Sequence, residues 1–197
     1  MTDKKLNKPS TEQAEEAVRT LLAWIGEDPQ RAGLRRTPER VLKSYADWYG
    51  GYTENPAEIL GSSFPDADGF KDMVVLTDID FESHCEHHMA PFIGRAHIAY
   101  MPSDKVVGVS KIVRVVNAYA KRLQVQEKLT KQIADCINAE LKPRGVAVVL
   151  EAQHECMTTR GVYKKNIMMK TSTMLGCFEK DAKLCAGFMN LITKNSA

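Results

Sequence analysis

Residues 73–100, MVVLTDIDFESHCEHHMAPFIGRAHIAY, form the stretch on which the fold turns. The run from Met73 through Val74, Val75 and Leu76 to Phe81 is dense in β-branched and apolar residues and reads as a strand, and Phe92 to Tyr100 reads as its neighbour. Between them, Ser83-His84-Cys85-Glu86-His87-His88 places one cysteine and three histidines in the connection after a strand. Two strands so close in sequence pair as a hairpin without a crossover helix, so the sheet is expected to be antiparallel.

Downstream, Pro102-Ser103-Asp104 turns the chain toward a short extended piece at Val106-Val107. Ser110 is then expected to cap a helix carrying Ile112, Val115, Val116 and Tyr119. A second helix begins at Gln126-Glu127, repeats Leu129, Ile133, Ile137 and Leu141 at four-residue spacing, and ends at Pro143-Arg144-Gly145. Val146, Val148 and Leu150 alternate with Ala147, Val149 and Glu151 as a strand. Another strand is expected from Val162 to Met174, and a last helix from Ala182 to Ile192.

Upstream, residues 1–9 read as a disordered tip. Ser10 and Gln13 form a capping box that opens a helix with Ala14, Val18, Leu21, Leu22 and Ile25 on one face, stopped by Gly26 and Asp28-Pro29. Thr37-Pro38 starts the next helix, whose stripe is Val41, Leu42, Tyr45 and Trp48. Residues 52–71 read as a loop with one helical turn near Pro56. The expected fold class is α+β: a helical arm over residues 1–50, then a catalytic domain over residues 51–197 with an antiparallel sheet and two helices packed on one face.

Composition narrows the function. The chain has 197 residues, 44% hydrophobic and 26% charged, as an ordinary globular protein does. A net charge of +2 is too small for a sequence-independent nucleic-acid or membrane binder, and neither partner is expected. Met1-Thr2-Asp3-Lys4-Lys5 leads into polar residues, so no secretory signal is expected, and no apolar run is long enough to span a bilayer. The five cysteines, Cys85, Cys136, Cys156, Cys177 and Cys185, are odd in number and irregularly spaced, which points away from a disulfide framework and toward the cytoplasm.

Chemistry concentrates in two segments. Cys85 to His88 has the spacing of two ligands on one turn, and His154-Glu155-Cys156 offers a third at the end of another strand. Thiolate and imidazole are the donor set zinc prefers, and three protein ligands leave a position for water. Each residue alone has a blander reading, as a buried small hydrophobe or a hydrogen-bonded histidine. A cysteine with three histidines in five positions, matched by a His-x-Cys elsewhere, is poorly covered by those readings. Spacing favours His88 as the ligand and leaves His87 and His154 to move protons. A water on zinc ionises near pH ~7, and breaking a carbon–nitrogen bond also needs an acid for the departing nitrogen.

Two basic pairs, Arg40 with Lys43 and Lys111 with Arg114, stand three residues apart near helix starts, so each pair faces one way. An anion bound there would offset their conflict with the helix dipole, and Ser110 would add a hydroxyl. Arg160 lies four residues beyond Cys156 and brings a further charge. A solvated helix face is the blander reading, and with 27 Lys and Arg in the chain such pairs arise often by chance. Glu127 suits a helix start for its own sake, and its carboxylate also matches the ring N–H and exocyclic amine of a guanine; sequence alone leaves both readings open.

Four separated motifs carry a family resemblance: Cys85-Glu86-His87-His88, the run Gly108 to Arg114, Val125 to Leu129, and His154-Glu155-Cys156-Met157-Thr158-Thr159-Arg160-Gly161. With Thr37-Pro38-Glu39-Arg40-Val41, they make the chain from about Thr37 onward resemble GTP cyclohydrolase I. The resemblance implies the tunnelling fold, a strand–strand–helix–helix–strand–strand unit. It implies opening of the GTP imidazole ring at C8, release of formate, and ring closure to 7,8-dihydroneopterin triphosphate. Zn2+ would be held by Cys85, His88 and Cys156. His87 and His154 would be the acid/base pair, with Ser110 counted beside them. Arg40, Lys43, Ser110, Lys111, Arg114 and Arg160 would hold triphosphate and ribose, and Gln126 with Glu127 the guanine or ribose end. The assembly implied is a toroidal homodecamer with active sites at subunit boundaries. One departure is a methionine-rich stretch from Asn166 to Gly176, expected to affect packing more than chemistry. Competing functions are another zinc hydrolase acting on a different pterin or purine, and a zinc-stabilised binding protein without catalysis.

Overall fold

The computed structural model of the protein describes residues 7–61, 64–65, 70–103 and 105–193, in two compact units that divide between Trp48 and Tyr49. Most of the expected N-terminal tip, part of the 52–71 loop and Asp104 of the expected turn lie outside the described residues.

The first unit is a helix pair. Helix α1 (Thr11–Trp24) opens on the expected capping box: Ser10 Oγ accepts from the Gln13 amide at 3.2 Å, and Gln13 Oε1 accepts from the Ser10 amide at 2.9 Å. Gly26, at φ +91°, follows its C-terminus. Helix α2 (Thr37–Trp48) packs against α1, yet no α1 residue is buried, and Leu21, Trp24 and Ile25 are exposed.

The second unit begins with a 3-10 turn (Gly50–Thr53) and the short helix α3 (Pro56–Leu60), the helical turn expected near Pro56. Strand β1 (Phe64–Pro65) precedes the long pair β2 (Val74–Cys85) and β3 (Pro91–Met101). Strand β4 (Lys105–Val106) pairs with β1. Helix α4 (Val109–Ala120), strand β5 (Leu123–Gln124), helix α5 (Gln126–Leu141) and strand β6 (Gly145–His154) follow, then the turn of helix α6 (Glu155–Thr158), strand β7 (Met169–Gly176), helix α7 (Cys177–Lys180) and helix α8 (Ala182–Thr193). β2, β3, α4, α5, β6 and β7 give the strand–strand–helix–helix–strand–strand order of the tunnelling fold. Among the described residues, no helix is long and apolar enough to cross a membrane.

The main sheet runs β5-β2-β3-β6-β7. Its four long strands are antiparallel as expected, but β5 pairs with β2 in parallel, at His84↔Leu123 and Cys85↔Gln124. Phe92, Ile98 and Tyr100 of β3, with Val146, Val148 and Leu150 of β6, face Ile112, Val115 and Val116 of α4 and Leu129, Ile133, Ile137 and Leu141 of α5. Each such fully buried side chain contributes about 1.5–3 kcal/mol relative to exposure. The opposite face is covered as well: Ala99, Ala147 and Val149 pack with Phe178, Phe188 and Ile192. The expected two helices on one face are therefore joined by α7 and α8 on the other.

Three boundaries differ from expectation for local reasons. β2 continues to Cys85, because β3 pairs with it as far as His84↔Pro91. Helix α4 starts after Gly108, whose extended backbone is the cap and whose carbonyl accepts from the Lys111 amide at 2.9 Å. Ser110 is thus the second helical residue, exposed, and caps nothing. The strand expected from Val162 begins only at Met169, since Gly161 at φ +66° and Tyr163 at φ +53° hold the preceding segment out of extended geometry.

Two features pin the sheet. Asp78, at φ +56°, sits in a register shift between Leu76 and Ile79; its amide donates to His97 Nδ1 at 3.2 Å and Arg95 donates to its carboxylate at 3.0 Å. Buried His97 also meets Glu151 at 3.3 Å, and Lys170 pairs with Glu151 at 2.6 Å. Gly94 is the other: a Cβ there would stand 1.9 Å from the Glu151 carbonyl oxygen and 2.6 Å from Ala152 Cα.

Gly94→Ala is therefore expected to destabilise the fold by about 2–4 kcal/mol in urea unfolding, and a change below about 0.5 kcal/mol would contradict the close approach. The Lys170 ammonium, then His97, holds the Glu151 carboxyl below its ordinary range. Its contribution is fully present above that range and is lost as pH falls through it. Melting temperatures measured on the acid side should fall less steeply for Glu151→Gln than for the wild type; parallel curves would contradict this.

Candidate active site

The sheet ends where the expected ligands meet. Cys85 is the last residue of β2, and a tight turn carries Glu86, His87 and His88 away from it, with the Met89 amide donating to the Cys85 carbonyl at 2.8 Å. On the far side of β3, β6 ends at His154, and the α6 turn carries Cys156. Because Pro91 pairs with His84 and Phe92 with His154, the ends of β2 and β6 lie side by side with the start of β3 at one end of the sheet. Cys85, His88 and Cys156 each present one ligand atom, and the three atoms lie within 4.8 Å of one another.

Their surroundings are graded from buried to open. Cys85 is buried, Cys156 half-buried and His88 exposed. Cys85 Sγ lies 3.7 Å from His87 Nδ1 and 3.9 Å from His88 Nδ1. Burial, then the neighbouring Cys85, pushes the Cys156 thiol up. Arg160 donates to His88 Nε2 at 2.9 Å, which brings the expected charge to the cluster.

His154 is held differently. Its ring stacks on Phe92 at 4.6 Å with the planes 1° apart, and its Nε2 lies 2.8 Å from Gln126 Oε1. Burial pulls its pKa below the ordinary histidine value, opposed by the Glu127 carboxylate. Glu127 is exposed in the first turn of α5. Gln126 is fully buried, and its side-chain amide is spent on protein partners, Leu150, Met169, Thr171 and His154. The Gln126 side chain thus makes hydrogen bonds to His154 and to β6 and β7.

The remaining expected residues fall into separate groups. Lys111 and Arg114 of α4 line a cavity of about 320 Å³ with Glu54, Asn55, Glu58 and Ile59. Two carboxylates beside the two cations are a feature the sequence pattern did not signal. Twelve residues of α4 run about 18 Å at the helical rise, and its far end lies beside the start of β5, which pairs with β2 at His84 and Cys85. Ser110, Lys111 and Arg114 belong to the first half of α4, the half away from β5. Arg40 and Lys43 are exposed on α2, in the other unit.

The comparisons with known proteins bear on this arrangement directly. The family model described as GTP cyclohydrolase I matches residues 14–193. The chain belongs to the GTP cyclohydrolase I family. A relative named GTP cyclohydrolase 1 from Maricaulis maris (strain MCS10) is 54% identical over 95% of this chain and 91% of its own. Another of that name, from Brucella suis (strain ATCC 23445 / NCTC 10510), is 54% identical over 94% and 87%. A solved structure of the archaeosine synthase QueF-Like in the apo form covers 53% of this chain and 93% of its own, at 18% identity and a TM-score of 0.44.

Within this family member, sequence reasoning missed Phe92, Thr130 and Thr171, which surround His154 and Gln126. Phe92 and Thr171 lie on strands flanking β6, so only the sheet register reveals them. Thr130 follows Gln126 by four positions, a helical spacing visible in the sequence once Gln126 is known to be buried.

Bound metal, measured by atomic absorption after dialysis, is expected at about one ion per chain in the wild type. Cys85→Ala, His88→Ala and Cys156→Ala should each retain less than about a tenth of it, and His87→Ala most of it. Full retention in any of the first three would remove that residue from the cluster.

Proposed function

We propose that the chain is a zinc-dependent GTP cyclohydrolase I, converting GTP to 7,8-dihydroneopterin triphosphate and formate at the first step of folate and pterin biosynthesis. The observation that carries the chemistry is the convergence of Cys85, His88 and Cys156 with His154 at the same end of the sheet and His87 beside Cys85. The donor set fits zinc: two sulfurs and one imidazole are its preferred ligands. Ligand atoms within 4.8 Å need only a small contraction to reach the roughly 3.5–3.8 Å edges implied by zinc bonds of about 2.0–2.3 Å. When bound, such an ion supplies Lewis acidity and a nucleophilic water at neutral pH.

The chain's own residues supply the rest. Burial lowers the His154 pKa and so favours the neutral ring, which accepts a proton before returning it to a purine nitrogen or the ribose ring oxygen. His87, exposed next to Cys85, is the second proton carrier. Glu127, close enough to His154 to influence its titration, accepts the ring N–H and exocyclic amine of the guanine. Lys111, Arg114 and Arg160, with Arg40, Lys43 and the Ser110 hydroxyl, hold the triphosphate and ribose.

The assembly in this reading is a toroidal homodecamer with shared active sites. Support comes from the place of Lys111 and Arg114 in a cavity lined by none of the thiol cluster, and from the uncovered Leu21, Trp24 and Ile25 of α1. A cytoplasmic location is part of the same reading, supported by five cysteines that form no disulfide.

Zinc-loaded protein incubated with GTP should release formate and a product that becomes a fluorescent pterin on oxidation. Guanosine should give almost none, because the cations would lack their ligand; equal turnover of the two would overturn the substrate assignment. His154→Ala should keep its zinc and lose about 10²–10⁴-fold in rate. Loss of zinc in that variant would instead make His154 a ligand.

A further inference from the structure

The buried end of the site contains a ring of hydrogen bonds whose directions are fixed. The Gln126 side-chain amide faces the carbonyl oxygens of Leu150 at 3.2 Å and Met169 at 3.1 Å. Carbonyls only accept, so the NH2 group must point at them and the amide oxygen must point away. That oxygen faces His154 Nε2 at 2.8 Å, which requires the ring hydrogen on Nε2.

Two threonines lock this orientation. Thr130 Oγ1 lies 2.7 Å from the Gln126 backbone carbonyl, one turn back on α5, and that bond consumes its hydrogen. Across 2.6 Å to Thr171, Thr130 therefore accepts and Thr171 donates. The lone pairs of Thr171 Oγ1 are left for the Gln126 NH2 group, 3.1 Å away. Turning the amide over would set its oxygen against two carbonyls and its NH2 against a ring nitrogen. Gln126 and Thr130 are almost wholly buried, so no solvent relieves that arrangement.

We infer that Gln126, Thr130 and Thr171 are positioning residues that fix His154 as its Nε2–H tautomer and make Nδ1 the nitrogen through which it exchanges protons. This rests on His154 being a proton carrier in the function proposed above. Phe92, stacked parallel to the ring, sets its plane, and Gln126 sets its rotation within that plane. The Nε2–H bond to Gln126 is kept whether or not Nδ1 holds a proton, so the ring stays in place through a transfer. Each of the three acts through His154.

The test uses the full-length, zinc-loaded protein. Nitrogen-15 NMR of histidine-labelled protein, with His154 assigned by its loss in His154→Ala, should show the hydrogen on Nε2 and a bare Nδ1. Thr171→Val keeps the shape but removes the hydroxyl that orients the amide. This variant and Gln126→Leu should lower kcat for GTP about 10–100-fold, with KM within about twofold and metal content unchanged. Thr171→Ser should return kcat to within about threefold of wild type, and a Thr171→Val sample that folds should show His154 in mixed tautomers. A hydrogen on Nδ1 in the wild type would overturn the inference, even if every variant failed to fold. So would a raised KM with unchanged kcat in Gln126→Leu, which would make Gln126 a substrate contact. A wild type inert toward GTP but with the hydrogen on Nε2 would count against the proposed substrate and leave the network standing.

Discussion

Strand β3 pairs Pro91 with His84 on one side and Phe92 with His154 on the other, and this double register is the constraint on which the site depends. Side chains alternate along a strand with a period of two, so a slip of one residue would carry a ligand-bearing strand end to the wrong face. The register is held from within by apolar residues on both faces of β3 and β6. It is held further by the close approach at Gly94, and by the Asp78–His97–Glu151–Lys170 chain that ties β2, β3, β6 and β7 together. The energy for bringing two thiols together thus comes from the sheet.

The site divides into a rigid half and an open half. His154 sits between a stacked phenyl ring and a buried amide whose oxygen faces the ring and whose NH2 group faces β6 and β7. His87, His88 and Arg160 are exposed on short turns, where side chains can adjust around an ion or a phosphate. Such a division suits a reaction with several proton transfers. One group must keep its orientation throughout, while others follow a substrate that changes shape.

Local patterns made much of the fold legible. The Ser10–Gln13 box, the Leu129–Ile133–Ile137–Leu141 ladder and the Val146–Leu150 alternation each depend on near neighbours, and the observed elements follow them. The cysteine and histidine spacing identified the three residues whose ligand atoms now cluster. Failures arose where a distant partner decides. The backbone of Gly108 outcompeted Ser110 as a helix cap, and positive-φ residues at Gly161 and Tyr163 delayed β7. The burial of Gln126 was not legible either, because β6 and β7, contributed from later in the chain, close over it. Thr171 lay in a stretch read as mere packing, and only the sheet brings it to Gln126.

Zinc K-edge X-ray absorption on the isolated protein tests the convergence of Cys85, His88 and Cys156 most directly. Two sulfur scatterers, one imidazole and one further oxygen that is replaced when an anionic ligand is added are expected of three protein ligands and a water. A first shell of four protein atoms, or one with fewer than two sulfurs, would contradict it.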